Sequence, residues 1–302
     1  MRLVLGTANF GLKYGTENKK LKLIDLKKIN RLFKYRKLIF DSAIDYKNSH
    51  KIIGKNFKKK KVITKIRLSN YKNEKDQENF SKKLIKALND LRIKKFYAIL
   101  YHDVNDFLKN KKSLSLLKNL KKNGLVEKIG VSVYSPDDTK KVIKHWNPDI
   151  LQFPINIYDQ RMLEKGFLNK LRKKNIILMA RSCFLQGVLL KEQSFFRNKF
   201  FFDNHKKFVS WCKKKNLTQL DACISFIRSI KNINLLTFGF DDAKQLNEIL
   251  LSSKKRVKIS FSEFKMFSIS KKLNFIDPRL WKKNERYLFK PDIHPQGIQE
   301  KF

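Results

Sequence analysis

Short apolar runs alternate with longer amphipathic segments along almost the whole chain, and this alternation limits the fold more than any other feature. Eight runs read as strands: Arg2–Leu5, Leu38–Phe40, Val62–Ile66, Tyr97–Tyr101, Lys128–Val133, Ile150–Pro154, Ile176–Ala180 and Leu235–Phe240. Most are apolar on both faces, the pattern of parallel strands covered by helices. The intervening segments carry helical period. Gln77 to Arg92 places Phe80, Leu84, Leu88 and Leu91 on one face. Ser113 to Asn123 stops at Gly124, and Pro136 to Trp146 follows a cap-type Ser135 with acidic residues in its first turn. Glu164 to Lys174 and Ala243 to Leu251 repeat the pattern. The longer connection from Cys183 to Ile233 is predicted to hold two helices, at His205–Lys214 and Leu217–Ile230.

Strands alternating with helices close into a barrel or open into a doubly wound sheet. Eight strands favour the barrel, and no G-x-G-x-x-G follows the first strand as a dinucleotide-binding open sheet requires. The expectation is an α/β chain, a single-domain (β/α)8 TIM barrel over residues 1–257. A basic, irregular extension over 258–302, with Pro278, Pro291 and Pro295, is expected to pack on one end.

A length of 302 residues suits one such barrel, and 42% hydrophobic residues suffice for a sizeable core. The longest apolar stretches, about six residues, fall far short of the ~20 needed to span a bilayer. MRLVLGTANFG reads as a strand running into a Gly turn rather than as a signal peptide, so a cytoplasmic location is expected. Three cysteines (Cys183, Cys212, Cys223) without a C-x-x-C pair, and five histidines without H-x-x-x-H spacing, indicate neither a disulfide framework nor a metal site. The formal charge of +42 would suit an anionic partner. Its lysines are spread over every predicted helix, only Lys58 to Lys61 form a run, and no Arg/aromatic interleaving suggests base reading. Neither a specific nucleic-acid partner nor a membrane is expected, and the oligomeric state is not legible.

In a barrel of this kind chemistry sits at the C-terminal ends of the strands. Those ends carry Asp41, Lys65, His102, Ser132 and Gln152, and Tyr46 lies in the loop five residues past Asp41. Singly, each has an ordinary explanation as a cap, a surface residue or a packing residue. Together they suit carbonyl reduction, which needs a proton donor near neutral pH. A phenol near pKa 10 is too weak an acid, and a neighbouring ammonium lowers it. A shift of ~2–3 units requires ~3–4 kcal/mol, which a partly buried Lys65 can supply if a carboxylate, here Asp41, keeps it charged. A histidine donor such as His102 would orient the carbonyl oxygen.

At this point the chain resembles the aldo-keto reductases, over roughly Leu3 to Leu251. LGTANFG resembles their first strand and turn and puts Thr7 among the cofactor positions; FDSAIDYKNSHKIIG resembles the D-x-A-x-x-Y segment, VITKI the lysine strand and LYHD the histidine strand. EKIGVSVYSP and LQFPINIYDQR resemble the nicotinamide-binding strands. The resemblance implies a catalytic tetrad of Asp41, Tyr46, Lys65 and His102. It also implies NADPH or NADH as cofactor and a small carbonyl compound or sugar-like molecule as substrate. Ser132 and Gln152 match positions that bind the carboxamide. ARSCFLQGVLL matches the segment under nicotinamide and pyrophosphate, with Arg181, Ser182, Gln186 and Gly187 near the cofactor.

The chain also departs from the family pattern. Val133 stands where Asn often follows the strand-five Ser, and Arg181 where an aromatic residue commonly stacks on nicotinamide. After the eighth strand, Gly239, Phe240 and Gln245 replace the usual Lys-Ser and Arg anchors of NADPH-preferring members, while Glu248 matches an adenine-contacting acidic position. His50 stands where an acidic residue is common and is given no role. Two other readings compete: a basic nucleic-acid-binding protein on a reused barrel, and a sugar lyase or isomerase in which Lys65 forms a Schiff base. Specificity is expected from residues Gln186 to His205 and from the tail after Lys258. The aromatic, basic stretch SFFRNKFFFDNH either covers an anionic or sugar-like substrate or packs on the barrel.

Overall fold

The computed structural model of the chain describes residues 1–12, 21–33, 38–69, 73–257, 259–281 and 287–290. Eight parallel strands close into a barrel in sequence order. They are β1 (Arg2–Gly6), β2 (Leu38–Asp41), β3 (Lys60–Ile66), β4 (Phe96–Tyr101), β5 (Val126–Ser132), β6 (Ile150–Pro154), β7 (Ile177–Arg181) and β8 (Leu235–Phe238). Pairing of Arg2 to Leu5 with Leu235 to Phe238 shuts the ring. Each strand falls within two residues of its predicted place, because apolar runs covered on both faces leave little freedom of position.

The strand pleat sorts side chains into two cores. Val4, Ile39, Ile63, Tyr97, Ala98, Leu100, Ile150, Met179 and Leu235 form a cluster of their own, the filling of the barrel. Alternate residues such as Leu5, Phe40, Val62, Ile99, Val131, Leu151 and Leu178 face the helices and join the large outer cluster. Space in the filling is tight at Gly130, where a Cβ would lie 2.1 Å from the Ile150 carbonyl oxygen and 2.6 Å from Leu100 Cδ2. Side chains start two of the helices: Asn73 with Asp76, and Thr218 with Asp221, form capping boxes on Glu74–Leu91 and Gln219–Ser229.

Three regions differ from expectation. The predicted helix over 164–174 breaks into a 3-10 turn, Arg161–Gly166, and a short helix, Phe167–Arg172. Lys165 and Gly166 stand at φ 49° and 66° in the left-handed region, which interrupts the helical bonds. The helix expected at His205–Lys214 begins earlier, at Lys199, where the Asn198 side chain accepts from Phe201 N. Phe195, Phe196 and Phe201 are buried, so the aromatic stretch packs into the core rather than forming a cover. The tail is not irregular throughout: Phe261–Lys265 and Leu273–Ile276 are helical, and Phe264, Phe267, Phe275, Ile276, Trp281, Leu288 and Phe289 are buried. It docks on the loop after β6, where Ile269 N donates to Tyr158 O (3.0 Å). Pro291, His294 and Pro295 lie outside the described residues. All three cysteines are free and buried. Among the described residues no helix is long and apolar enough to cross a membrane, and no group of three or more metal-type side chains converges.

Two buried histidines outside the mouth make the fold acid-sensitive. His50 Nε2 meets Thr64 Oγ1 at 3.1 Å, and His205 lies 2.9 Å from the Tyr158 hydroxyl and 2.6 Å from the Lys191 carbonyl oxygen. Burial, the first cause, pushes each pKa from 6.5 down to about 4. The unfolded chain therefore binds protons that the folded chain refuses as pH falls from about 6.5 to about 4. Stability is lost in that window, by up to about 3 kcal/mol per histidine. Urea midpoints at pH 7.0, 5.5 and 4.5 should fall in step; a midpoint constant across the series would refute this.

Candidate active site

Strand parity assembles the mouth of the barrel. Asp41 follows the inward Ile39 by two residues, Lys65 follows Ile63, His102 follows Leu100, Gln152 follows Ile150 and Arg181 follows Met179. Ser132 has the same parity as Gly130, whose missing Cβ faces Leu100 in the filling. Polar side chains therefore replace apolar ones in one last inward layer at the C-terminal rim, where the barrel no longer needs filling.

At the centre, Lys65 Nζ donates to Asp41 Oδ1 in a buried ion pair and lies 3.4 Å from the Ser42 carbonyl oxygen. The second oxygen, Asp41 Oδ2, accepts from Gln152 Nε2 at 2.9 Å. Burial, the largest cause, pulls the Lys65 pKa down, the charge and hydrogen bond of Asp41 push it up, and the charge of Arg181 pulls it down again. The ammonium stands 5.8 Å from the centroid of the Tyr46 ring. That ring meets His102 edge to face, with centroids 5.9 Å apart and planes at 74°. Tyr46, Lys65, Asp41 and His102 are thus brought together, as their positions at strand ends suggested.

His102 is held neutral. Burial first, then the charges of Lys65, Arg67 and Arg181, depress its pKa well below 6.5. Its Nδ1 is buried with no hydrogen-bond partner among the described residues. A neutral imidazole beside a phenol can donate one hydrogen bond to an oxygen without carrying charge.

The loop that carries Tyr46 is fixed by residues whose role the sequence did not disclose. Thr7 Oγ1 donates to the Asp41 carbonyl oxygen (3.1 Å), Ser49 Oγ donates to Thr7 Oγ1 (2.9 Å), and Ser42 Oγ lies 3.0 Å from Ser49 Oγ. Ser49 N donates to the Tyr46 carbonyl oxygen (2.9 Å). The short helix Ala8–Gly11 presses on the same carbonyl: a Cβ at Gly11 would come within 1.9 Å of it. The only sequence sign of this contact was a glycine at the end of LGTANFG. Thr7 itself is wholly buried and structural in its visible contacts.

Around this centre lie the residues expected near a cofactor. Ser132 and Gln152 are paired across β5 and β6. Gln152 Oε1 is buried and has no partner among the described residues. Beyond β7 the backbone of Ser182, Leu185, Gln186 and Gly187 takes positive φ (61°, 48°, 56° and 92°). Such conformations are uncommon for non-glycine residues and cluster where function holds the chain. Arg181 NH1 donates to Ser182 Oγ (3.2 Å) and NH2 to the Val133 carbonyl oxygen (3.3 Å), while its guanidinium covers the Tyr134 ring at 4.3 Å. The same ring carries the Arg279 guanidinium of the tail at 3.4 Å. No sequence signal linked Tyr134 to Arg279. After β8, Gln245 Oε1 accepts from Asp241 N (2.9 Å), and its Nε2 lies 3.4 Å from Asp241 Oδ2. Gln245 is therefore tied to its own loop, and Glu248 is exposed one turn further on.

Comparison with known proteins places this architecture. The model of the Aldo/keto reductase family matches residues 2–268. A glycerol dehydrogenase from Gluconobacter oxydans superposes with a TM-score of 0.67 at 19% identity, over 92% of each chain. An aldo-keto reductase from Bacillus halodurans in its holo form gives 0.70 at 13% identity, over 89% of this chain and 92% of that one. At such identities the likeness to these structures is one of fold. No curated protein sequence matches the chain.

Proposed function

The chain belongs to the aldo/keto reductase family, and from that premise we propose that it reduces an aldehyde or ketone with NADPH or NADH, or runs the reverse alcohol oxidation. The observation that carries this reading is the buried Lys65–Asp41 pair set against the Tyr46 ring, with neutral His102 edge to face with the same ring. The family match over residues 2–268 favours this reading over a Schiff-base lyase or isomerase and over a nucleic-acid-binding protein on a reused barrel.

The donor set at the rim fits a nicotinamide. The unpartnered Gln152 Oε1 is an acceptor for the carboxamide N–H, with Ser132 beside it. Arg181, Ser182, Gln186 and Gly187 line the path beyond β7, and Thr7 props the Asp41 backbone from below. When bound, reduced nicotinamide supplies a hydride to the carbonyl carbon. Tyr46 delivers the proton to the carbonyl oxygen. Lys65 makes the phenol more acidic, Asp41 keeps Lys65 protonated, and Gln152 orients Asp41. His102 donates to the same oxygen and holds it toward Tyr46. The catalytic barrel is assigned to residues 1–257, the described residues of the extension, 259–281 and 287–290, pack on it, and the enzyme works on a small carbonyl compound or sugar-like molecule in the cytoplasm. The experiment is direct: with NADPH or NADH and a panel of aldehydes, the loss of nicotinamide absorbance should match alcohol formed mole for mole. No turnover of any carbonyl with either cofactor would end this reading.

Cofactor choice follows from the segment after β8. Gly239, Phe240 and Gln245 bring no cation to a 2′-phosphate, and Gln245 is committed to Asp241. Asp241 and Asp242 follow directly and would repel a phosphate placed close to them, and Lys244 is the nearest compensating charge along the chain. Each charge-assisted hydrogen bond to phosphate contributes ~1.5–3 kcal/mol, so losing two removes most discrimination. NADPH and NADH should therefore bind within roughly 30-fold of one another, a ratio worth ~2 kcal/mol. Dissociation constants measured near 0.15 M ionic strength test this, and NADPH binding hundreds of times tighter would refute it.

A further inference from the structure

The lysines are spread over the whole chain but not evenly over the barrel. All eight strands start at one end, and the loops that lead from a helix into the next strand gather there, opposite the mouth. Those loops are basic: FKKKK before β3, RIKK before β4, KKNGLVEK before β5, RKKN before β7 and RSIKN before β8. The mouth end is mixed. The loops and first helical turns after β4, β5, β6 and β8 carry at least as many acidic as basic residues, as in HDVND, YSPDD, DQRMLE and FDDAK. The loops after β3 and β7 and the KNKK turn at 109–112 are its basic parts.

The basic loops form one rim. Glu127 joins Lys61 and Lys95 (3.4 and 3.3 Å), and Lys121 pairs with Asp149 (2.6 Å). Arg172 donates to Asn232 Oδ1 (2.9 Å), and Arg2 N donates to the Asn234 carbonyl oxygen (2.8 Å). The carboxylates of the rim are taken by these contacts and by the pairing of Asp90 with Lys86. Lys58, Lys59, Lys94, Lys122, Lys173 and Lys231 are exposed and form no ion pair among the described residues. Helix dipoles favour cations at this end, but each is equivalent to about half a negative charge. That does not neutralise the runs of three or four cations before β3, β4 and β7. Crowding is already felt within the rim: burial first, then the charge of Arg92 on the neighbouring loop, pulls the Lys60 pKa down. Such self-repulsion is a cost to the free protein that an anionic partner removes.

The layout of the rim indicates the shape of that partner. The loops before β3 and β7 are four strands apart in the ring of eight and so stand on opposite sides of it. A rod-shaped polyanion laid across the barrel axis meets both. The rim offers mostly lysine, and no exposed Phe, Tyr or Trp among its described residues. It therefore has few forks for base edges and no platform for unstacked bases. Its exposed apolar residues, Met1, Leu32 and Leu125, stand singly on separate segments, so it lacks the apolar face that seats a basic surface in a bilayer.

We propose that the face of the barrel opposite the mouth docks on double-helical nucleic acid, through phosphate contacts that read no sequence. The mouth then points away from the duplex and stays open. This property stands beside the reductase reading and does not depend on it. Each contact releases a condensed counterion, so at 0.15 M salt one phosphate contact contributes about fivefold in affinity and about −0.9 to the slope of log K against log salt.

The test places the same loss of charge at the two ends of the barrel. One full-length variant carries Lys59→Gln, Lys94→Gln, Lys173→Gln and Lys231→Gln on the rim. The other carries Lys51→Gln, Lys109→Gln, Lys111→Gln and Lys112→Gln at the mouth end. A labelled DNA duplex of ~30 base pairs is titrated by fluorescence anisotropy over a series of salt concentrations centred on ~0.15 M. Wild-type protein should bind two unrelated sequences alike, with a dissociation constant of ~1–100 μM at ~0.15 M salt. The rim variant should bind ~10-fold or more weakly, with a salt slope shallower by about 2–4, and the mouth-end variant should stay within ~3-fold of wild type. Equal losses in the two variants would mean that bulk charge alone attracts the duplex, and would overturn the docking face. So would a wild type that fails to bind by ~100 μM, or one that prefers a sequence. Vesicles of phosphatidylserine and phosphatidylcholine are the parallel probe. Sedimentation with them that needs the rim lysines, without duplex binding, would assign the face to a membrane instead.

Discussion

Replacing Tyr46 by phenylalanine should lower kcat for carbonyl reduction by ~10²–10⁴, the usual contribution of a positioned general acid. The substitution removes one oxygen and keeps the ring, so the edge-to-face contact with His102 and the approach of Lys65 Nζ survive. The backbone of the loop is held independently of the hydroxyl, by Ser49 N on the Tyr46 carbonyl and by the close fit of Gly11. Cofactor dissociation constants and urea midpoints should therefore stay near their wild-type values. The measurement is kcat under saturating carbonyl and cofactor, together with cofactor titration of the variant. Activity close to wild type would mean that another group delivers the proton.

The second large effect is expected at Lys65. Lys65→Met removes the ammonium and leaves Asp41 buried, with Gln152 as its remaining side-chain donor. Breaking one side of a buried ion pair costs ~3–5 kcal/mol, because the remaining charge loses its partner. The variant should thus be both unstable and slow. The two consequences separate in the double variant Asp41→Asn, Lys65→Met, which removes the stranded charge and should recover much of the stability but not the rate. A further signature belongs to the phenol alone. In alcohol oxidation Tyr46 accepts a proton, and without the neighbouring ammonium its phenolate is less stable. The rising limb of the oxidation pH profile should therefore move to higher pH in Lys65→Met. If the limb stays in place while the rate falls, Lys65 acts through structure rather than through the acidity of Tyr46.

What could be read from the sequence follows from strand periodicity. Asp41, Lys65, His102, Ser132 and Gln152 were legible because each interrupts an apolar strand at its C-terminal end, on the side that faces the barrel axis. A polar residue there has no place in a packed filling, so it stands out. Tyr46 sits in a loop, where no period marks it; its place five residues past Asp41 and the need for a proton donor pointed to it, and the resemblance to a known family added the segment around it. The support beneath it was illegible. Thr7, Ser42 and Ser49 are small hydroxylic residues common on any surface, and the bonds of Thr7 reach Asp41 and Ser49, 34 and 42 residues away. The link between Tyr134 and Arg279 spans a still longer separation and comes from a tail without periodicity. In the helix Lys199–Lys214, Phe201, His205, Phe208 and Cys212 do follow helical spacing. A cluster of aromatic residues at its start read as a loop because aromatics also mark exposed binding segments.

The inward parity of the rim sets limits on how this chain can change length. Inserting or deleting one residue within β2, β3, β4, β6 or β7 exchanges the two faces of everything beyond the change. Asp41, Lys65, His102, Gln152 or Arg181 would then point into the helix layer, and an apolar neighbour would enter the mouth. Such an event abolishes chemistry even if the barrel still closes. The loops at the opposite end carry no such constraint, since a residue gained there is absorbed at the surface. Length variation among descendants of this gene should therefore be concentrated in those loops and the tail, with strand lengths unchanged. A library of single-codon deletions scanned along the chain would display the same division, as inactive blocks of four to seven positions coinciding with the strands.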